Sequence, residues 1–291
     1  MEPPTRSPSA KLRFPLAALA LASVPIVPCL AQAHRAPDVL ASYARAKALI
    51  DSAVAAHGGL EALRTIDRLH IRLEGYDYHR NQSRRVAAPY DSTPRRLALW
   101  IDLPRGRIVN HQTSGYPGGF LYTTRFVSDS ARHWFVDVRH GTHSPAQYPP
   151  AAQQLGNLFY LPQGYLLAAL ESNAQGRRRY LGRMRLASGA EVEAVDVPIP
   201  NSGIVIGFDP ATKRLRAVMS VGTDPFTGEA AVETEFLDYR MIDGVLLPTQ
   251  AVLRRSGDII RSQRYTSASR ISAIPDSLLA PPSGSTEVAQ T

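Results

Sequence analysis

The chain has 291 residues and a formal net charge of +8, from 33 lysines and arginines against 25 acidic residues. A chain of this length can bury a sizeable core in one domain, and 44% hydrophobic residues is ordinary for a globular protein. The basic residues are scattered, with a single run of three at residues 177–179, so we expect no nucleic-acid partner. A basic surface of this kind favours an anionic membrane surface as a partner.

The first 33 residues have the composition of an export signal. Lys11 and Arg13 give a positive start, residues 15–30 form a short apolar run, and residues 31–33 match a small-x-small cleavage site. We therefore predict a signal peptide that is cleaved after Ala33, and a protein exported to the periplasm. The single cysteine lies inside this signal, so the mature chain is expected to have no disulfide, thiolate catalyst or cysteine-ligated zinc.

Helical periodicity follows the signal. Residues 37–57 carry apolar side chains at spacings of four and three, and Gly58 stands where helices commonly end, which predicts an amphipathic helix. Apolar and polar residues then alternate over residues 69–74, as in a strand with one buried face. Residues 79–93 show no periodicity and are predicted to form a surface loop.

Strand patterns fill most of the remaining chain. Four candidates lie within residues 95–139 and four more within residues 178–221, separated by proline, glycine or serine. The clearest run is residues 231–270, which predicts three antiparallel strands joined by turns at Asp243-Gly244 and Ser256-Gly257. Each strand has one apolar face, so the sheet needs a cover on that side.

Two apolar helices, predicted at residues 151–160 and 163–172, interrupt the strands and supply such a cover. The sequence therefore predicts an α+β fold: a curved antiparallel β-sheet of roughly ten strands, forming a half-barrel whose concave face is covered by the N-terminal helix and these central helices. Residues 34–282 are expected to form this single domain, and residues 283–291 a disordered tail.

A half-barrel closed by so few helices is expected to leave an apolar concave space, which is the usual geometry of a ligand site. The same large side chains could instead fill a core, and the sequence leaves both uses open. The candidate lining residues are Trp100, Phe120, Tyr122, Leu158, Phe159, Leu166, Leu167, Leu170, Phe208 and Phe236.

Residue clusters that could carry chemistry are few. No GxSxG, HExxH, HxHxDH, GxGxxG or P-loop motif is present, so we predict no cofactor. His133, His140 and His143 could converge on zinc, but their spacing matches no recognised site, which favours surface histidines.

A second tempting group is acidic. Glu233 and Glu235 share one face of a predicted strand, as an acid and base pair would. Such alternation is more typical of the solvent side of a strand, here with Arg254 or Arg264 as cross-strand partners.

Three segments carry a family resemblance: residues 56–75 (AHGGLEALRTIDRLHIRLEG), residues 161–170 (LPQGYLLAAL) and residues 236–248 (FLDYRMIDGVLLP), the last with IPDSLLAPP further on. Together they resemble exported bacterial proteins with the fold of the lipoprotein-sorting carriers LolA and LolB. They are also similar to the domain that precedes a metallo-β-lactamase-type hydrolase domain in some longer exported proteins. The resemblance implies a half-barrel that holds acyl chains or another apolar ligand.

The sequence thus predicts an exported, non-enzymatic carrier or binding protein that buries a hydrophobic ligand, such as an acyl chain, without covalent chemistry. Two alternatives stay open. One is an accessory domain with a protein partner, namely a separately encoded metallo-β-lactamase-fold hydrolase. The other is an enzyme with a histidine metal site.

Overall fold

The computed structural model describes residues 39–129, 132–145, 160–170, 177–199, 202–224 and 228–288. The predicted signal peptide with its cleavage site at Ala33 lies outside the described residues, as do residues 151–159 of the first predicted central helix, with Leu158 and Phe159. No helix in the described part of the chain is long and apolar enough to cross a membrane.

The α-helices that the structure describes are α1 (Val39–Ala56), α2 (Gly59–Leu63), α3 (Pro162–Leu170) and α4 (Asp276–Leu279). Helix α1 buries one stripe, as its periodicity predicts, and this stripe consists of Ala46, Leu49, Ile50 and Ala53. After α1, Gly58 takes the left-handed conformation with φ 93°, which ends the helix at little cost because glycine has no Cβ.

The described strands form one curved, unclosed sheet of 14 strands, larger than the roughly ten that the sequence predicts. Their bounds are β1 (Arg68–Tyr78), β2 (Ser92–Asp102), β3 (Arg107–Gly115), β4 (Leu121–Asp129), β5 (Arg132–Asp137), β6 (Thr142–Pro145), β7 (Arg179–Arg185), β8 (Glu191–Ile199), β9 (Ser202–Phe208), β10 (Leu215–Asp224), β11 (Gly228–Ile242), β12 (Val245–Arg255), β13 (Asp258–Arg270) and β14 (Thr286–Glu287).

Two meanders make up this sheet. Strands β1 to β6 and strands β7 to β13 each pair in sequence order, and β1 pairs with β13 to join the two halves. The described pairings are antiparallel except that of β14 with β6, which is parallel. Strand β14 lies in the tail that the sequence predicts to be disordered: the amide of Thr286 donates to the carbonyl of Gly141 at 2.9 Å.

The hairpins of residues 231–270 are confirmed. Asp243 and Gly244 have φ values of 47° and 81°, and Ser256 and Gly257 have 50° and 87°. Two consecutive positive φ angles define the hairpin turn whose twist matches that of the strands it joins.

We call the sheet face that contacts α1 and α3 the inner face, and the opposite side the outer face. The main core lies on the inner face and joins both helices to strands of both meanders. Its buried members come from the two helices, from strands β1 to β3 and from strands β8 to β13, and they include Ile50, Leu69, Ile71, Leu99, Leu166, Phe208 and Phe236. That helices cover the whole of this face remains a prediction.

His57 connects the C-terminal end of α1 to strand β10 through a hydrogen bond. Its Nε2 accepts a hydrogen bond from the amide of Leu215 at 3.2 Å, and its ring meets Tyr239 edge-on with centroids 5.1 Å apart. The imidazole is only 2% exposed. Burial, with a smaller contribution from the positive charge of Arg214, lowers the pKa of His57 to about 4. His57 is therefore neutral at pH 7, with Nε2 free of a proton and able to accept.

Candidate ligand site

Polar side chains interrupt the apolar inner face at one end of β1, β2 and β13. Asp77, Arg95, Arg261 and Gln263 each stand in the same alternation phase as the buried residues of their own strand. The strand register places Asp77 opposite Arg261, and it places Gly75 between Arg95 and Gln263. We call these four side chains the polar cluster.

Arg95 is the most enclosed charge of this cluster, with 4% of its surface exposed. Its Nη2 donates to the Gln112 Oε1 at 2.7 Å and lies 3.4 Å from the Tyr160 hydroxyl. Its Nη1 donates to Ser114 Oγ at 3.3 Å and reaches an oxygen of Asp77 at 3.5 Å, a long and weak contact. Arg95 is thus held mainly by neutral acceptors rather than by a close carboxylate.

Arg261 makes the closer contact with Asp77, which is the only acidic residue of the polar cluster. Its Nε donates to Asp77 Oδ1 at 2.6 Å. Among the described residues, no other carboxylate contacts Arg95 or Arg261. Two guanidinium groups therefore share one carboxylate, and the cluster has a formal charge of +1 inside a mostly apolar face. Arg261 forms a close ion pair with Asp77, whereas the enclosed Arg95 has no close counter-ion, which is costly for a buried charge.

A cavity of about 70 Å³ adjoins the polar cluster. Strands β11 and β12 contribute its apolar side chains, and β13 contributes its charged and amide side chains. The lining consists of Tyr160, Thr234, Phe236, Ala251, Leu253, Arg261, Gln263 and Tyr265. Gln263 is 4% exposed, and its Nε2 has no hydrogen-bond partner in the described part of the chain. The volume is far below the roughly 300 to 1,000 Å³ of a drug-sized ligand site, so it fits a small group and not an acyl chain.

Gly75 allows the strands to approach closely beside this cavity. A Cβ atom at Gly75 would lie 1.9 Å from the backbone oxygen of Ser262 on β13. No side chain can be placed there without moving one of the two strands, since real contacts of this kind do not fall below 3 Å. The residue thereby fixes the spacing between the Arg95 and Gln263 side chains on either side of it.

The structure brings together part of the predicted cavity lining. Phe236 lines the small cavity, and Phe208 and Leu166 are fully buried in the main core. Leu167 and Leu170 pack against that core. Tyr122 is paired with Ser114, which places it on the inner face next to the polar cluster. That these residues line a ligand cavity remains a prediction.

Trp100 and Phe120 lie elsewhere. Trp100 is on the outer face, because it alternates with the buried Leu99 and Ile101, and its ring stacks on His70 with centroids 4.5 Å apart. It borders a shallow groove of about 320 Å³ there. Phe120 precedes β4, is exposed, and stacks on Tyr116. Neither side chain shares a space with the core residues of the predicted cavity.

The three histidines do not converge. His143 pairs with Val136, whereas His133 is three residues before Val136 on the same strand and so faces the other side of the sheet. His140 lies in the turn, where its Nδ1 is 2.7 Å from Asp137 Oδ2. This hydrogen bond is the largest cause that lowers the pKa of Asp137. Within the described ranges, no group of three histidine, cysteine or acidic residues could hold a metal ion.

Glu235 differs from the sequence expectation of a solvent-facing residue, since it is 1% exposed. Its oxygens accept from Arg216 and from Arg254, each at 2.8 Å, and from Ser188 Oγ at 3.0 Å. The expected pairing with Arg254 is present. Burial comes from the β7–β8 turn, which folds over this part of the outer face and also donates a backbone amide to Glu233. Glu235 thus belongs to a structural ion cluster, in which arginine and serine donors satisfy its carboxylate oxygens.

The polar cluster was not anticipated from the sequence, although a signal for it exists. Asp77, Arg95 and Arg261 are charged residues at positions where the strand alternation demands apolar ones. Their phase alone marks them as inward-facing, but only the pairing of β1 with β13, which are about 190 positions apart, brings them together.

No protein-family model and no curated protein matches this sequence. Several solved structures resemble the fold. A LolA superfamily protein from Nitrosomonas europaea is 10% identical, with a TM-score of 0.44, over 76% of this chain and 96% of that one. A DUF1329 family protein from Desulfovibrio piger is 10% identical, with a TM-score of 0.46, over 81% and 97%. An uncharacterized conserved protein from Thermus thermophilus is 11% identical, with a TM-score of 0.36, over 84% and 99%. The solved structures that this chain resembles thus include a LolA superfamily protein, as the sequence predicted. At these identities the likeness concerns the fold alone.

Proposed function

We propose that the protein is an exported periplasmic carrier or binding protein for a hydrophobic ligand, and that it acts without covalent chemistry. The observation that supports this proposal is the cavity on the inner face, where the apolar side chains of Phe236, Ala251 and Leu253 meet a polar wall. A mainly apolar hollow with a few convergent polar groups is the usual form of a small-molecule site. An anionic membrane surface and a protein partner are further proposals. The first is in keeping with the net charge, which is +8 for the whole chain and +6 once Glu2, Arg6, Lys11 and Arg13 leave with the predicted signal peptide.

Helix α3 is the element that would move to admit a ligand. Seven of its nine residues are buried, and Tyr165 lies against Phe236 of the cavity wall with ring centroids 6.3 Å apart. The Gln163 side chain adds a hydrogen bond from Nε2 to the carbonyl of Leu246 at 2.5 Å. An acyl chain that displaced α3 would keep the apolar inner face covered. The apolar surface that α3 now buries, worth roughly 25 cal/mol per Å², would then be buried by the ligand.

A titration with the fluorescent probe N-phenyl-1-naphthylamine tests this proposal. We expect saturable binding to the purified full chain, with one class of site. Removing the Gln163 hydrogen bond, in Gln163→Ala, should speed probe uptake and release by about fivefold, because a neutral hydrogen bond contributes about 1 kcal/mol.

Gln250→Ala is the matched control. It removes a comparable hydrogen bond, from Nε2 to Ser262 Oγ at 2.9 Å, at a position that alternates with the inward-facing Ala251. This variant should leave the probe kinetics unchanged. The carrier proposal fails if no saturable binding occurs, and the role of α3 fails if both variants behave alike.

A further inference from the structure

We propose that the polar cluster binds the anionic head group of the ligand, so that the hydrophobic cargo is an acidic amphiphile with a carboxylate or phosphate head. This inference rests on the proposed carrier function and assigns the polar end of the same site. It is carried by three independent features: the surplus positive charge, the unpartnered donors, and the apolar wall opposite them.

The charge balance calls for an anion. Arg95 and Arg261 share the single carboxylate of Asp77, and the contact from Arg95 to that carboxylate is 3.5 Å long. Arg95, which is 4% exposed, therefore loses its hydration and gains little from so distant a carboxylate. One negative oxygen group placed beside Arg261 would bring the cluster to neutrality.

Donors are available for such a group. In the described part of the chain, the two Nη groups of Arg261 form no hydrogen bond, and its bond to Asp77 uses Nε alone. Gln263 adds the unpartnered Nε2 on the wall of the cavity. Arginine recognises carboxylate and phosphate through paired N–H groups, and an adjacent amide donor completes a site for one oxyanion. The Arg261 side chain is 27% exposed, so the site can be reached from solvent.

The lining of the cavity also predicts how the ligand is oriented, with its head group and its chain at opposite ends of the site. Its polar wall is formed by Arg261 and Gln263, and its apolar wall by Phe236, Ala251 and Leu253. About 70 Å³ accommodates a head group next to the polar wall. Phe236 belongs to the main core, so a chain attached to this head group would run along Phe236 toward the space that α3 occupies.

Competition against the fluorescent probe, with delipidated full-length protein, tests the head-group assignment. The competitors are palmitate, methyl palmitate, palmitoyl-lysophosphatidylglycerol and butyrate. We expect palmitate or the phosphate amphiphile to bind at least about 10-fold more tightly than the neutral ester, since hydrogen bonds to charged groups are stronger than neutral ones. Whichever of the two anions binds more tightly identifies the head as carboxylate or phosphate.

Three variants separate a binding role from a structural one. Arg261→Gln should reduce the preference for the anion to within about twofold of the ester. Asp77→Asn should have the opposite effect and strengthen anion binding severalfold, because it raises the formal charge of the cluster to +2. Arg264→Gln is the control, since it removes the same charge from an exposed position on the same strand and should preserve the preference.

The outcomes distinguish the two proposals. If the ester and the anions bind equally well, the carrier proposal stands and the head-group inference is overturned. If none of the long-chain compounds binds, the carrier proposal itself fails. Butyrate binding as tightly as palmitate would also overturn the inference, because the site would then take a free anion. A loss of anion binding in Asp77→Asn, with folding intact, would contradict the charge argument directly.

Discussion

Replacing His57 with glutamine is expected to make the stability of this protein less sensitive to acid. The buried imidazole accepts a hydrogen bond at Nε2, and its pKa falls to about 4, chiefly because of burial. Glutamine can offer Oε1 as an acceptor at a similar reach but takes up no proton in this range. The variant therefore keeps the contact with Leu215 and removes the titration.

The sign of the effect follows from proton binding. In the unfolded chain His57 has a pKa near 6.5, and in the folded protein near 4. Between these values the unfolded state binds a proton that the folded state does not, so the free energy of unfolding falls as the pH is lowered through this window. A difference of about 2.5 in pKa, at 1.36 kcal/mol for each unit, corresponds to a loss of about 3 kcal/mol.

Urea unfolding at a series of pH values, followed by circular dichroism, measures this loss. Between about pH 7.5 and pH 4, the wild-type free energy of unfolding should fall by about 3 kcal/mol more than that of His57→Gln. Tyr239→Phe is the control: it removes the hydrogen bond from the Tyr239 hydroxyl to the carbonyl of Leu215 at 2.7 Å and should lower stability by about 1 kcal/mol at every pH. Parallel curves for the wild type and His57→Gln would refute the reasoning.

Two further stability predictions use the same unfolding assay. Gly75→Ala should lower the free energy of unfolding by about 3 kcal/mol, because its Cβ would collide with the backbone of β13, whereas Gly203→Ala, where a Cβ meets nothing within 4 Å, should change it by less than about 1 kcal/mol. Equal effects of the two would contradict the close approach. Glu235→Gln should cost about 3 kcal/mol, since it leaves two arginines around a buried neutral group, whereas Glu191→Gln, in an exposed ion pair, should stay within about 0.5 kcal/mol. A loss of less than about 1 kcal/mol at Glu235 would show that the ion cluster is not structural.

Local patterns in the sequence were sufficient to predict most of the described helices and strands. The turns at Asp243-Gly244 and Ser256-Gly257 require positive φ, and the alternation on either side of them sets the strands of that region. The full strand count could not be predicted, because β6 and β14 are too short to show an alternation, and β14 is paired through a parallel contact with a strand about 140 positions away.

Contacts with distant segments explain the differences at Glu235 and at the polar cluster, but not the one at Trp100. Glu235 follows the solvent-facing pattern of its strand and is nevertheless enclosed, because the β7–β8 turn covers it from 47 positions away. Trp100 shows the opposite case: its phase relative to Leu99 already indicated the outer face, and its size alone made it a candidate for the cavity. Predicting the polar cluster would have required two kinds of information: the inward phase of Arg95 on its own strand, and the long-range pairing of β1 with β13, the strand of Arg261.

Native mass spectrometry of the mature protein, isolated gently from a periplasmic preparation and followed by organic extraction, tests the central claim most directly. We expect a discrete added mass that extracts into organic solvent as an acidic amphiphile, and a smaller bound fraction for Arg261→Gln than for Arg264→Gln. A bare protein mass, together with no binding of the hydrophobic probe, would contradict the proposal that the inner face of this sheet carries a hydrophobic ligand.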